Sequence, residues 1–262
     1  MSRYLRLFAV QLRASLLLGL QYRTDFLIDG IISVFWALTA VIPLFVVFQD
    51  RTRVAGWTFG ESVIVVGWFT LLEGILEGGI NPSLANVVEH IRQGTLDFIL
   101  LKPADAQFLV STARFELWRV TNAFTALAMF GYGLSKVGHM PTVGGILSAG
   151  VLLCASTLVL YSLWIITVSA AFYVVRVDNL TFLFNAIFDA ARWPVSVFRG
   201  VIRFVFTFVV PLAVMTTFPA EALLGRLPGR VVGFSVLGAI GFAGVARWVW
   251  LRSIARYTSA SS

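Results

Sequence analysis

Charge is scarce in this chain: 13% of its 262 residues are Asp, Glu, Lys or Arg, against 58% that are hydrophobic. Its apolar stretches are repeatedly long enough to cross a hydrocarbon core of roughly 30 Å, which excludes a soluble domain. Cys154 is the single cysteine, so no disulfide framework, CxxC redox pair or cysteine metal cluster can form within one chain. The two lysines are Lys102, followed by Pro103, and Lys136, followed by Val137. Neither fits Gly-x-x-x-x-Gly-Lys-[Ser/Thr], so the chain hydrolyses no nucleotide through a phosphate-binding loop of its own. His90 and His139 fall on opposite sides of the membrane in the topology derived below, and no metal site is expected. The chain shows no internal repeat, and low complexity is confined to a short Ser-rich tail. Arg3, Arg6 and Arg13 lie among apolar residues without a short hydrophobic core and small-residue cleavage site, so no removable signal peptide is expected.

What is present is a set of long apolar segments separated by basic residues. The net charge of +7 would point to nucleic acid in a soluble chain, but here the cations sit between the apolar segments and read as membrane topology, with no nucleic-acid partner. Residues 1–25 carry Tyr4, Leu5, Phe8, Leu12, Leu16 and Leu20 at near-helical spacing with arginines interleaved, as in a helix lying in the membrane interface. Spans are expected at about 26–48, 60–80, 115–134, 143–175, 198–218 and 231–250, with a second interfacial helix at 180–192 ending before Trp193-Pro194. The fold class is therefore all-α: a single polytopic domain over 1–262 with six transmembrane helices. Fifteen of the 20 Lys and Arg fall on one side in this topology, leaving Arg51, Arg53, Lys136, Arg226 and Arg230 on the other. The positive-inside rule then puts both termini in the cytoplasm, as expected for a multi-pass protein of the bacterial inner membrane.

The longest loop, 81–114, is itself patterned. Asn81-Pro82 reads as a cap with proline at the first helical position, and Gly94 as a stop. Between them Leu84, Val87, Val88 and Ile91 share one face, while Asn86, Glu89, His90 and Gln93 point elsewhere. This pattern describes either an interfacial helix that only closes a loop or a docking helix that receives force from a soluble partner.

The string that follows favours the second reading. Ile91, Gly94, Leu96, Asp97, Leu100, Leu101, Lys102 and Pro103 resemble the I-x-x-G-x-L-D-x-x-L-L-[KR]-P pattern of six-span ATP-binding-cassette type-2 transporter permeases. The segment from Pro211 through Pro219 and Glu221 to Gly225 resembles the fifth-span exit and extracellular element of the same family. The resemblance implies a cytoplasmic coupling helix at about 83–93. It also implies that Leu84, Val88, Glu89, Ile91, Arg92, Gly94, Leu96, Asp97, Lys102 and Pro103 couple to a soluble ATP-binding-cassette ATPase. ATP and Mg would be bound by that partner, leaving this chain without a cofactor and without catalysis of its own. Export through a pathway shared with a second permease, identical or homologous, would follow. The cargo is not implied.

Glu73 and Glu77, four residues apart on one face of the second span, are the acidic pair to explain. Carboxylates at membrane depth usually face protein or water. Either Glu73 pairs with Arg199, Arg203 or Arg247 while Glu77 is solvated, or the two line a cavity for cationic cargo. If they instead coupled ion flux, the chain would be a gradient-driven carrier or channel. A membrane enzyme acting on lipid has no cluster of nucleophile, base and acid to support it. Arg192, Arg199 and Arg203 are expected to anchor to lipid headgroups, and Trp57, Trp118, Trp193, Trp248 and Trp250 to the membrane interface. Gly74, Gly78 and Gly79, and Gly233, Gly238, Gly241 and Gly244, permit close helix approach, within the subunit or between subunits.

Overall fold

The computed structural model describes residues 2–21, 23–173 and 178–257; the Arg23 side chain and Arg176, both used in the charge count, lie outside the described residues. Among the described residues there is no strand, only an isolated bridge between Val54 and Trp57. The chain is all-α and polytopic: four helical stretches, Gly30–Phe48, Phe59–Gln93, Val143–Phe172 and Gly229–Ile254, are long and apolar enough to cross a membrane. A bent pair, Gly200–Val209 and Ala213–Leu223, is a fifth candidate.

The first two helices, α1 (Ser2–Gln21) and α2 (Arg23–Phe48), precede the helix at the centre of the molecule, α3 (Phe59–Ile75). Thr58 caps α3 in a reciprocal box: its hydroxyl accepts from the Glu61 N–H, and the Glu61 carboxylate accepts from the Thr58 N–H at 2.8 Å. Each orphan donor of the first turn that finds such a partner is spared desolvation without compensation. Glycines at 60, 67 and 74 recur every seventh residue and so return to one face. That face lies against α7 (Val120–Val137) so closely that a Cβ on Gly74 would sit 2.7 Å from the Asn122 Cβ, and one on Gly133 of α7 2.8 Å from the Gly60 carbonyl oxygen. Gly78 is also tight, at 3.1 Å from the Arg119 Cβ, whereas Gly79 makes ordinary contacts. Gly233, Gly238, Gly241 and Gly244 of the last helix, α12 (Gly229–Ile254), meet nothing within 4 Å, so packing inside this subunit does not explain them.

At its far end α3 does not stop where Asn81-Pro82 was expected to end a span. A π-helical turn, Leu76–Ile80, carries it directly into α4 (Asn81–Gln93), giving one stretch of 35 residues. Proline at 82 has no N–H to return to the Gly78 carbonyl, and its ring would crowd that carbonyl in a regular helix. The widened turn relieves the crowding, and the Gly78 carbonyl accepts instead from the Glu116 N–H at 2.8 Å. Ser83 fixes the same crossing, its hydroxyl accepting from the Arg114 N–H at 3.0 Å and donating to the Arg114 carbonyl.

Further along, α8 (Val143–Ser169) is capped by Thr142 and packs along α12, where Ala239, Ala246 and Trp250 are buried. Across 180–192, α9 (Asp178–Asp189) turns one face into the core, putting Phe184 4.7 Å from Trp164 and Phe188 5.0 Å from Phe69, and leaves Phe182 and Leu183 exposed. Beyond α9, Trp193 packs with Leu44, Val63 and Val66, and Ser196 reaches the 49–58 loop, accepting from the Trp57 indole N–H at 3.0 Å. The expectation for 198–218 requires correction: these residues are not one straight helix, because Pro211 breaks them into the two pieces bent by 71°. The second piece returns beside α8, where Ser156 donates to the Val214 carbonyl at 2.8 Å and the Ala222 carbonyl lies against Gly145.

The tryptophans divide. Trp57 and Trp250 are buried in the protein and are not interface anchors, Trp118 and Trp193 are half-buried, and Trp248 is 62% exposed.

Candidate functional site

The patterned segment after α4 is built by a left-handed glycine. Gly94 takes φ 70, and the Thr95 N–H returns to the His90 carbonyl at 3.0 Å, closing α4 with the bond pattern that only a residue without a Cβ adopts at low cost. His90 Nδ1 lies 2.7 Å from the Thr95 hydroxyl and locks the turn from outside. The short helices α5 (Asp97–Leu100) and α6 (Ala106–Ser111) follow, and the chain then runs past Gly78 into α7.

The residues singled out from the sequence separate into two groups. Leu84 and Leu96 are fully buried, and Val88 and Ile91 pack against the same core. These four hold the segment together, Leu84 and Leu96 from inside and Val88 and Ile91 half-buried at the edge of the core. Glu89, Arg92, Lys102 and Pro103 are exposed, while Gly94 and Asp97 are half-buried. Two residues given no role of their own by the sequence pattern stand out instead: Phe98 is 71% exposed and Leu101 81%. Their signal was the helical offset of three from a polar turn, which places them together on the side away from Leu96.

Two supports hold this surface. On one side α1 lies against it: the Tyr4 ring meets Phe108 at 4.9 Å, Phe8 meets Phe115 at 5.6 Å, and Arg3 donates to the Pro103 carbonyl. On the other, Arg247 of α12 forks onto Asp105, with its Nη2 2.6 Å from Oδ2 and its Nη1 3.2 Å from Oδ1, and also donates to Gln107 at 2.9 Å. Gln107 in turn donates to the Tyr161 hydroxyl of α8 at 2.9 Å, and Ser111 shares that hydroxyl at 2.7 Å. A single polar chain thus ties the segment to α8 and α12.

Partial burial pushes the Asp105 carboxyl up, but the hydrogen bond from Arg247, the Phe108 N–H and the guanidinium charge outweigh it and hold the group below its ordinary value. A lowered folded-state value means that the stabilisation is complete above the unfolded value of about 3.9 and is lost as pH falls through the folded one. The difference in melting midpoint between wild type and Asp105→Asn is therefore expected to be constant above about pH 5 and to shrink below about pH 4. Thermal melts of both proteins across that range check it; a difference unchanged at the lowest pH would remove the ion pair from the account.

Glu73 and Glu77 are each matched by an arginine. Arg192 lies 3.8 Å from Glu73, 3.2 Å from Asp189 and 4.7 Å from the centre of the Phe69 ring. The Glu73 partner is thus Arg192, not Arg199, Arg203 or Arg247, and Arg192 is half-buried against the protein. Glu77 accepts from Asn81 at 3.2 Å and pairs with Arg119 at 3.7 Å. With Asp189 the cluster holds three carboxylates and two guanidiniums, so Glu73 and Glu77 each stand beside an arginine rather than facing open space alone. Arg199 and Arg203 are exposed, and among the described residues neither forms an ion pair.

Comparison with curated proteins and with solved structures returns no match. Comparison with protein families matches residues 34–261 to the family described as ABC-2 family transporter protein. That stretch begins within α2 and takes in every later helix, the patterned 81–114 segment included, and so the chain belongs to the ABC-2 transporter family as a multi-pass membrane permease.

Proposed function

We propose that this chain is the membrane half of an ATP-driven exporter and that the surface around Phe98 and Leu101 docks a separate ATPase. The observation that carries the proposal is the pair of exposed apolar side chains on a segment whose every other large apolar residue is buried or packed. A polar segment retains such residues at little benefit unless a partner covers them. ATP and Mg belong to that partner. Pairing of two permeases to enclose the pathway is part of the same reading, and the unfilled glycine face of α12 supports it.

The contacts along 178–197 support six crossings by a different route from the one read in the sequence. Phe184 near Trp164, Arg192 near Phe69 and Ser196 at the 49–58 loop mark a continuous path through the bundle. The fifth crossing then lies at 178–197, and Gly200–Leu223 re-enters from the outer side and returns. Arg199 and Arg203 move to the outer side in this scheme and Arg192 to the interior. Twelve of the 20 cations stay on the side of α1, which still assigns that side and both termini to the cytoplasm. Glu73 and Glu77, each beside an arginine, are read here as structural ion pairs rather than as the coupling groups of a gradient-driven carrier.

The experiment is affinity purification of the full chain from native membranes in mild detergent, with identification of what accompanies it. A P-loop ATPase in stoichiometric amount, with ATP hydrolysis in the eluate, is the expected result. A chain that elutes alone and passes ions down a gradient in vesicles overturns the reading.

A further inference from the structure

At the end of the bundle opposite α1, the 49–58 loop, the start of α3 and the end of α7 surround an open cavity of about 1200 Å³. Its floor is aromatic. Phe45 and Phe48 of α2 lie 4.9 Å and 6.0 Å from Phe59, which lies 6.4 Å from Tyr132 of α7. Its rim is basic, with Arg51, Arg53, Lys136 and Arg226, and the Lys136 ammonium stands 5.6 Å from the Tyr132 ring. The acidic groups there are Asp50 and Glu61, and His139 also faces the cavity. Glu61 is buried and already committed to Arg226 and to the α3 cap, which leaves Asp50 against three uncommitted cations.

A cluster of cations on this side needs a cause, because membrane topology depletes the outer face of Lys and Arg. Guanidinium forks suit phosphate oxygens, and an ammonium adds charge without demanding a fixed geometry. The aromatic floor is continuous with the outward face of α2, where Ile42, Phe45 and Val46 are exposed and the apolar stretch is only 12% buried. A ligand with a phosphate head and acyl chains fits both features, its head at the rim and its chains along α2. A free phosphate would use only the rim. We infer that this cavity binds an acidic phospholipid of the outer leaflet, an assignment that rests on placing the 49–58 loop outside but needs no ATPase.

The test is native mass spectrometry of the full chain in detergent with equal amounts of phosphatidylglycerol and phosphatidylethanolamine. Wild type is expected to retain phosphatidylglycerol at least about tenfold, about 1.4 kcal/mol, over phosphatidylethanolamine, because both carry the phosphate but only the latter sets an ammonium against the basic rim. The triple variant Arg51→Gln, Arg53→Gln, Lys136→Gln should lose that preference, and Arg230→Gln, an outer cation that does not line the cavity, should keep it. Lys136→Glu, a single exposed change, repeats the test should the triple variant melt early. Equal retention of the two lipids, or an unchanged preference in the variants, overturns the inference. Displacement of the lipid by millimolar inorganic phosphate overturns the lipid in favour of a free anion. Labelling of Thr52→Cys by a membrane-impermeant maleimide on intact cells checks the side independently, so that a wrong topology and a wrong ligand are told apart.

Discussion

Phe98→Asp combined with Leu101→Asp should release the ATPase without unfolding the permease. Both side chains are largely exposed, so the folded chain loses little packing when they change. In a docked complex they would be covered, and burying a carboxylate where an apolar anchor sat costs far more than the anchor contributed. Loss of two central anchors typically weakens a complex by about 2–4 kcal/mol each, so the affinity should fall by on the order of a thousandfold or more. Co-purification should then recover the permease alone, with an unchanged melting midpoint. Leu96→Ala supplies the contrast: that residue is fully buried, and its truncation should cost about 2–5 kcal/mol of permease stability. If the Asp double variant keeps its ATPase, the docking surface lies elsewhere.

The second large effect concerns the α3–α7 contact. Gly133→Val should destabilise the protein by about 1–3 kcal/mol, a fall of several degrees in melting midpoint. The added Cβ alone would stand 2.7 Å from the Ile64 Cγ1 and 2.8 Å from the Gly60 carbonyl oxygen. The second neighbour is backbone and cannot rotate away, so the two helices must separate. Gly238→Val has open space around its Cβ and removes a residue of low helix propensity, so its monomeric melt should match wild type or rise slightly. Melts in detergent at low protein concentration compare the two. A Gly133→Val protein as stable as Gly238→Val would mean that the helices are not in close contact.

What the sequence disclosed, and what it hid, follows from how far apart the cooperating residues are. Gly94 was readable as a stop because a left-handed cap is a local demand that glycine alone meets cheaply. Asn81-Pro82 misled because the group that satisfies the freed Gly78 carbonyl, the Glu116 N–H, lies 38 positions downstream of Gly78 and carries no side-chain signature. Arg192 was read with Arg199 and Arg203 as a lipid anchor because its partner, Glu73, lies far away in sequence on α3. Pro211 was visible but sat in a stretch apolar enough for a full span, and hydropathy cannot distinguish a crossing from a return. Within residues 81–114 the pattern did not disclose that Phe98 and Leu101 are the large apolar side chains left exposed. Burial of Leu84 and Leu96 depends on α8 and on neighbours that periodicity alone does not reveal.

The uninterrupted stretch Phe59–Gln93 also has a mechanical meaning. A helix resists bending along its regular hydrogen-bonded length, whereas a π-helical turn is a local irregularity in that ladder. The compliant point is therefore the turn ending at Ile80, and the 13 residues of α4 form an arm about 20 Å long beyond it. A rotation of about 10° at that pivot sweeps the tip near Gln93 through roughly 3–4 Å, a displacement comparable to the rise of a few helical residues. Because Gly78 and Ser83 are bonded to the start of the path into α7, the pivot does not turn alone: it drags the entry of a second helix with it. A push on the tip near Gln93, if a docked partner supplied one, would thus arrive in the membrane as a coordinated shift of two rods, geared by a proline.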